Sequence, residues 1–299
     1  MKRIVIIGCG LIGGSMALDL RKRGFASEVL VCDKSPENTR KAIELGIADG
    51  AIQLSELKDN KPDFVIIAIP VNAINSLLPH LLDSIADHTV VLDTGSTKKD
   101  ICEAVSNHPR RGRFVAAHPI AGTENSGPEA ALRGLFNGKT CIVCEEEKSS
   151  AEALETALDV LTILGMNTVF MKPAHHDKHV AYVSHLSHVS SFLLAQTVLD
   201  IEKDEENIFN LAGSGFASTV RLAKSSPAMW APIFEQNAEH LSAALLEYIM
   251  HLQRFQYHLM KRDQNALLNI MEKANHIRKV LAGIEKPISI THETTAIKN

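Results

Sequence analysis

The stretch IVIIGCGLIGG, residues 4–14, narrows most sharply what this chain can fold into. Its first four residues are all β-branched and apolar, the mark of a strand buried on both faces. Gly8, Gly10 and Gly13 follow at G-x-G-x-x-G spacing, and SMALDLRKRG then carries a helical pattern. Gly8 permits a tight turn, Gly10 lets the backbone approach a phosphate, and Gly13 lets helix and strand pack closely. Leu11 and Ile12 lie at the helix N-terminus, whose free N–H groups and positive dipole end attract an anion.

A second apolar run, EVLVCD, ends in Asp33, about 20 residues past the last glycine, where a carboxylate accepts hydrogen bonds from an adenosine ribose. Together these segments predict a Rossmann-type dinucleotide site. A carboxylate at this position repels a 2′-phosphate, which favours NAD over NADP; Lys34 beside it keeps NADP as the alternative. FAD shares the fingerprint but usually belongs to larger enzymes. Pro70, ending DFVIIAIP, lies where the sheet edge borders a nicotinamide ribose, although a proline also simply terminates a strand.

The strand candidates RIVIIG, EVLVCD, DFVIIAI, TVVLDT, FVAAH, TCIVC and NTVFM alternate with helical stretches, which predicts an α/β domain with a doubly wound parallel sheet over residues 1–170. Residues 171–289 show helical periodicity with almost no strand signal, which predicts an all-α C-terminal domain. Its long apolar-rich helices suggest burial against a second copy of the chain, a homodimer. Residues 290–299 read as a polar tail. A length of 299 residues fits two domains. A net charge of −4 offers no footprint for nucleic acid. No apolar run approaches the ~18 residues of a spanning helix, which argues against a membrane protein. Five cysteines without framework spacing point to a reducing, cytoplasmic setting. Cys141 and Cys144 form a C-x-x-C inside a strand, so alternation sends the two thiols to opposite faces.

Asp93, Thr94, Ser96 and Thr97 cluster at the end of one strand, and His118 ends the next. Taken locally, His118 reads equally as a turn histidine before the polar loop IAGTENSG. Neighbouring strands, however, would bring Ser96 and His118 to the rim that holds the dinucleotide. A hydroxyl within reach of a histidine there suits removal of an alcohol proton as hydride departs.

The segments DTGSTK, HPIAGTENSGPEAA…LF, VSHLSHVSSFLLA and RLAKSSPAMW follow the glycine fingerprint in this order. The combination resembles the prephenate/arogenate dehydrogenase family of tyrosine biosynthesis, over residues 1–282. The resemblance implies an NAD-dependent oxidative decarboxylation of prephenate to 4-hydroxyphenylpyruvate, or of arogenate to tyrosine. It implies that His118 accepts the ring-hydroxyl proton, that Ser96 bridges hydroxyl, His118 and nicotinamide, and that His188 makes a polar contact near the nicotinamide. Thr123, His185, Arg221 and Trp230 would bind the substrate, with Arg221 holding a carboxylate; a surface ion pair for Arg221 and a core anchor for Trp230 are the plainer readings. The chain departs from the family pattern at Ala217 and Ser218, where a charged pair is usual, which bears on substrate preference.

The pairs His175/His179 and His185/His188 have spacings open to metal ligation, but hydride transfer to nicotinamide needs no metal, and none is expected. A β-hydroxyacid-type dehydrogenase would place a lysine base on the SHLSH helix, where there is none. A non-catalytic NAD sensor would be expected to have lost Ser96 or His118.

Overall fold

The computed structural model describes residues 2–203 and 208–285; the expected tail at 290–299 lies outside them. The chain divides into two compact units, one reaching Ala244 and the other starting at Leu245. The first unit opens with β1 (Lys2–Ile7), α1 (Leu11–Lys22), β2 (Ala26–Cys32), α2 (Pro36–Glu44), the two-residue β3 (Gly50–Ala51) and the short α3 (Leu57–Asn60). It continues with β4 (Phe64–Ile67), α4 (Val71–Ser84), β5 (Val90–Asp93), α5 (Lys99–Ala104), β6 (Phe114–Pro119), β7 (Thr140–Cys144), α6 (Ala151–Ile163) and β8 (Asn167–Met171).

These strands form one sheet in the order β3-β2-β1-β4-β5-β6-β7-β8. All seven strand candidates are present. The order reverses beside β1, between β2 and β4, and α1 starts at that switch point, where open α/β sheets bind ligands. Side-chain parity divides the interior. Ile4, Ile6, Phe64, Ile66, Val115 and Ala117 pack in one core with α1 and α6 residues. Val5, Ile7, Val65, Ile67, Phe114 and Ala116 pack in the other with residues of α4, α5 and a later helix. Both faces are dry, which is why these strands read as continuous apolar runs.

The expected all-parallel sheet needs one correction, because β7 pairs antiparallel with β6, and β8 runs parallel to β7. The β6–β7 connection, residues 120–139, contains only a short 3-10 turn at Pro128–Ala130, and a parallel return would need a crossover element. This loop is pinned across α1: Ser15 Oγ accepts from Leu132 N at 2.8 Å, and the buried Asp19 carboxylate takes Gly134 N at 2.9 Å. Cys141 and Cys144 do face opposite cores.

Beyond β8 the chain is helical: α7 (Pro173–Val180), a π-turn (Ala181–His185), α8 (Leu186–Glu202), α9 (Ser214–Thr219), α10 (Pro227–Gln236) and α11 (Ala238–Met260). The second unit contains the end of α11, α12 (Gln264–Ala274) and α13 (Ile277–Glu285). Among the described residues no helix is long and apolar enough to cross a membrane.

Gly8 has φ +90°, and a Cβ on Gly13 would lie 2.2 Å from the Gly8 carbonyl oxygen, whereas one on Gly10 would meet only Gly127 N at 4.0 Å. Gly13→Ala is therefore expected to lose about 1–3 kcal/mol of stability in urea denaturation, and Gly10→Ala no more than about 0.5 kcal/mol. Equal losses would contradict this packing.

Candidate active site

The turn after β1 has the features a dinucleotide needs. No side chain caps α1, so the first-turn N–H groups at Leu11, Ile12 and Gly13 are open to an anion, and space remains over Gly10. Asp33 follows β2, its carboxylate oriented by Cys9 N at 3.0 Å and Ser35 N at 2.9 Å. Asp33 also helps to push the buried Cys9 thiol up to about 12, although burial contributes more. Pro70 is exposed past the end of β4, and is the residue from which α4 starts.

β5 and β6 are neighbours, so the Asp93–Lys98 segment and His118 share one rim. His118 is half-buried, and its Nδ1 lies 2.8 Å from Nε2 of His176, a buried residue of α7. His176 Nδ1 in turn lies 2.7 Å from Asp177 Oδ1. The carboxylate accepts, so His176 carries its proton on Nδ1 and offers Nε2 as an acceptor. His118 then donates from Nδ1. The network thus leaves His118 Nε2 as an acceptor, the ring nitrogen not engaged by His176.

Asp177 holds more than a histidine. Its two oxygens also take the backbone N–H of Lys98 (2.8 Å) and of Lys99 (2.9 Å) at the start of α5. Against burial, which raises it, the bond from His176 and then those from Lys99 and Lys98 hold its carboxyl below the usual range. Burial pushes His118 well below the ordinary imidazole value, assisted by His176, Lys98 and His185. Burial lowers His176 as well, against the pull of Asp177.

Ser96 is half-buried in the loop between β5 and α5, and Thr97 Oγ1 donates to Gln236 Oε1 at 2.6 Å. The side-chain partner of His118 is His176 rather than Ser96. Thr123 is half-buried in the pinned loop, its hydroxyl accepting from Asn125 N at 3.2 Å.

His185 and His188 straddle a break in the helix. The π-turn ends at His185, which is buried, and α8 begins immediately after it. Asn237 Nδ2 donates to the Asp177 carbonyl at 2.7 Å and lies 3.1 Å from His185 Nδ1. Burial lowers His185 to about 4. His188 keeps its Nδ1 on the Ser184 carbonyl at 3.0 Å and stacks on Trp230 at 3.6 Å, while His185 meets the same indole edge-on. Trp230 is 7% exposed and packs in a core, and among the described residues its buried Nε1 has no hydrogen-bond partner.

Arg221 lies in a 3-10 turn tied to α8 through the Ser191 hydroxyl, and its Nη1 pairs with Glu124 at 2.8 Å. The ion pair thus joins the loop after His118 to the arginine. Ala217 and Ser218 are exposed on α9. His175 and His179 are exposed, with ring centroids 6.5 Å apart, and among the described residues no group of three or more His, Cys, Asp or Glu is placed to hold a metal ion. A cleft of about 500 Å³ lined by Lys99, Cys102, Glu145 and Lys172 contains none of these histidines.

Residues 16–170 match the nucleotide-binding domain of prephenate dehydrogenase, and residues 172–273 match its dimerization domain. The chain is 30% identical over 283 residues to the prephenate dehydrogenase of Bacillus subtilis, covering 92% of this chain and 75% of that protein. It is similar to the crystal structure of A. aeolicus prephenate dehydrogenase with hydroxyphenyl propionate and NAD+, with a TM-score of 0.86 at 32% identity over 94% of this chain and 98% of that one. It is also similar to Synechocystis arogenate dehydrogenase, with a TM-score of 0.72 at 28% identity over 93% and 99% of the two chains. Both halves of the chain thus match one enzyme family in sequence and in fold, and the protein belongs to the prephenate dehydrogenase family.

Proposed function

We propose that the protein oxidatively decarboxylates prephenate to 4-hydroxyphenylpyruvate with NAD, His118 taking the ring-hydroxyl proton. The observation that carries this reading is the Asp177–His176–His118 chain, which leaves His118 with an acceptor nitrogen and a neutral ring. Gly8, Gly10, Leu11, Ile12 and Gly13 would hold the pyrophosphate and Asp33 the ribose, with Pro70 and Ser96 beside the nicotinamide. NAD, when bound, supplies the hydride acceptor. His118 Nε2 removes the hydroxyl proton, and the positive charge it gains is stabilised through His176 by Asp177. The O–H electrons form the carbonyl as hydride leaves the ring carbon. The bond to the ring carboxylate then breaks, CO₂ departs, and its electron pair makes the ring aromatic. The phenolate oxygen recovers the proton from His118.

The protein's other task is orientation. Arg221 would grip a substrate carboxylate, in competition with Glu124, which holds the guanidinium here. Thr123, His185 and Trp230 would line the pocket, and His188 would face the nicotinamide. Arogenate, with an amino group for the side-chain keto oxygen, is the second reading, supported by the likeness to the Synechocystis enzyme. Residues 171–289 would form the substrate and dimerisation domain of a cytoplasmic homodimer. Leu246, Met250 and Leu252 on α11 and Val280 on α13 are exposed, and a second copy would cover them. The five unpaired cysteines suit a reducing compartment.

Initial rates with prephenate and arogenate, each with NAD and NADP, test the reading: prephenate with NAD is expected to be fastest, and no turnover of either substrate would sink it. His118→Asn is expected to lower kcat by roughly 10²–10⁴ while NAD still binds. Arg221→Gln should raise the KM for prephenate about 10- to 100-fold, the loss of a charge-assisted hydrogen bond.

Stability should follow the buried histidines. The folded state disfavours their protonation, so below pH ~6.5 the unfolded chain binds more protons and stability falls as pH falls. For His185, held at about 4, the loss runs from about pH 6.5 down to about 4. Urea midpoints at pH 7.5 and 5.5 check the sign, and His185→Asn should reduce the difference.

A further inference from the structure

Lys98 is a fully buried lysine in the segment between β5 and α5, and the proton path proposed above does not use it. Its ammonium pairs with Asp93, whose side chain is also completely buried, and it donates to the Ala117 carbonyl at 2.7 Å. The same Asp93 carboxylate accepts from Ala117 N at 3.0 Å and from Gly95 N at 2.8 Å. Ala117 is thus held at both its N–H and its carbonyl, and the next residue is His118. The backbone N–H of Lys98 is held by Asp177, the carboxylate behind His176. Lys98 therefore touches both arms of the histidine chain, one through Ala117 and the other through Asp177.

A buried ion pair is poor value as a stabilising device, since an apolar pair of similar volume usually serves as well. We propose that Lys98 is a positioning residue for the base: its buried ammonium, tied to Asp93 and Ala117, fixes the strand end so that His118 meets His176, and it presents a fixed positive charge to the two imidazoles. This inference rests on His118 being the base. The groups facing the histidine pair are Lys98 and Asp93 from β5 and its loop, Asp177 from α7 and His185 from the π-turn. Of these, Lys98 and His185 disfavour a proton on His118. On His176, Lys98 acts in the same sense, while Asp177 and Asp93 oppose it. Cys141 and Cys144 of β7 lie in the same field, their thiols pushed up to about 12 mainly by burial. The charge acts on both histidines, which lie 2.8 Å apart.

The test is a pH titration of ¹⁵N-histidine-labelled protein by NMR, with His118→Asn used to assign the signal, for wild type, Lys98→Met and Lys98→Arg. Lys98→Met is expected to move the titration of the pair to higher pH, and Lys98→Arg, which keeps the charge, to leave it near wild type. In parallel, the acid limb of the kcat/KM profile should move to higher pH in Lys98→Met, kcat/KM at a fixed pH on that limb falling about tenfold for each unit of displacement. Should Lys98→Met fail to fold with Asp93 left alone, Asp93→Asn/Lys98→Met removes both charges and is read on the His118 signal, which Lys98 depresses, since on His176 the two charges oppose each other. An unmoved titration in a folded charge-removed variant, or equal displacement in Lys98→Arg, overturns the proposal. The readouts separate the two claims. Loss of turnover in His118→Asn with an unmoved Lys98→Met titration sinks only the role of Lys98. A displaced titration in a protein that turns over neither substrate sinks only the proposed reaction.

Discussion

One carboxylate holds the site together. Asp177 takes two backbone N–H groups at the start of α5 and the Nδ1 proton of His176, and its own carbonyl accepts from Asn237. It therefore joins the strand-end loop of the dinucleotide half to the helices that follow the sheet. The bonds from Lys98 N, His176 Nδ1 and Asn237 Nδ2 are buried, so losing one leaves a donor unsatisfied at a cost of about 1–3 kcal/mol. The geometry of His118 is secondary to this anchor: His176 is aimed by Asp177, and His118 by His176.

The burial that makes the anchor strong also sets the chemistry. A histidine at the surface titrates near neutrality and spends part of its time charged. Packed against His176, with Lys98 and His185 nearby, His118 stays neutral and able to accept a proton. Asp177 cannot abolish this preference, but it lies where it can stabilise charge that appears on the pair for a moment. The loop after His118, pinned to α1 by Ser15 and Asp19, carries Thr123 and Glu124 from the same anchored base.

Much of this was legible in the sequence, and the limits have physical causes. Strands buried on both faces are continuous apolar runs, so β1, β4 and β5 could be read directly. β3 is two residues, Gly50 and Ala51, with no pattern to find. The reversal at β7 is not written in TCIVC, because strand direction is set by the connection and not by the strand. His176 was hidden in AHHDKH, where three histidines look alike; only the packing of α7 makes His176 buried while His175 and His179 face solvent. The only signal was the adjacent aspartate, Asp177. Nothing local in STKKD says that Lys98 is fully buried against Asp93.

The central claim is that His118 acts as a base because Asp177, through His176, fixes its tautomer and direction. The most direct measurement is kcat with prephenate and NAD for Asp177→Asn and His176→Asn, alongside their urea midpoints and NAD affinities. The account predicts that kcat falls at least tenfold in both, with NAD affinity retained and the loss in kcat exceeding what any unfolded fraction explains. Folded variants that turn over prephenate at the wild-type kcat would contradict it.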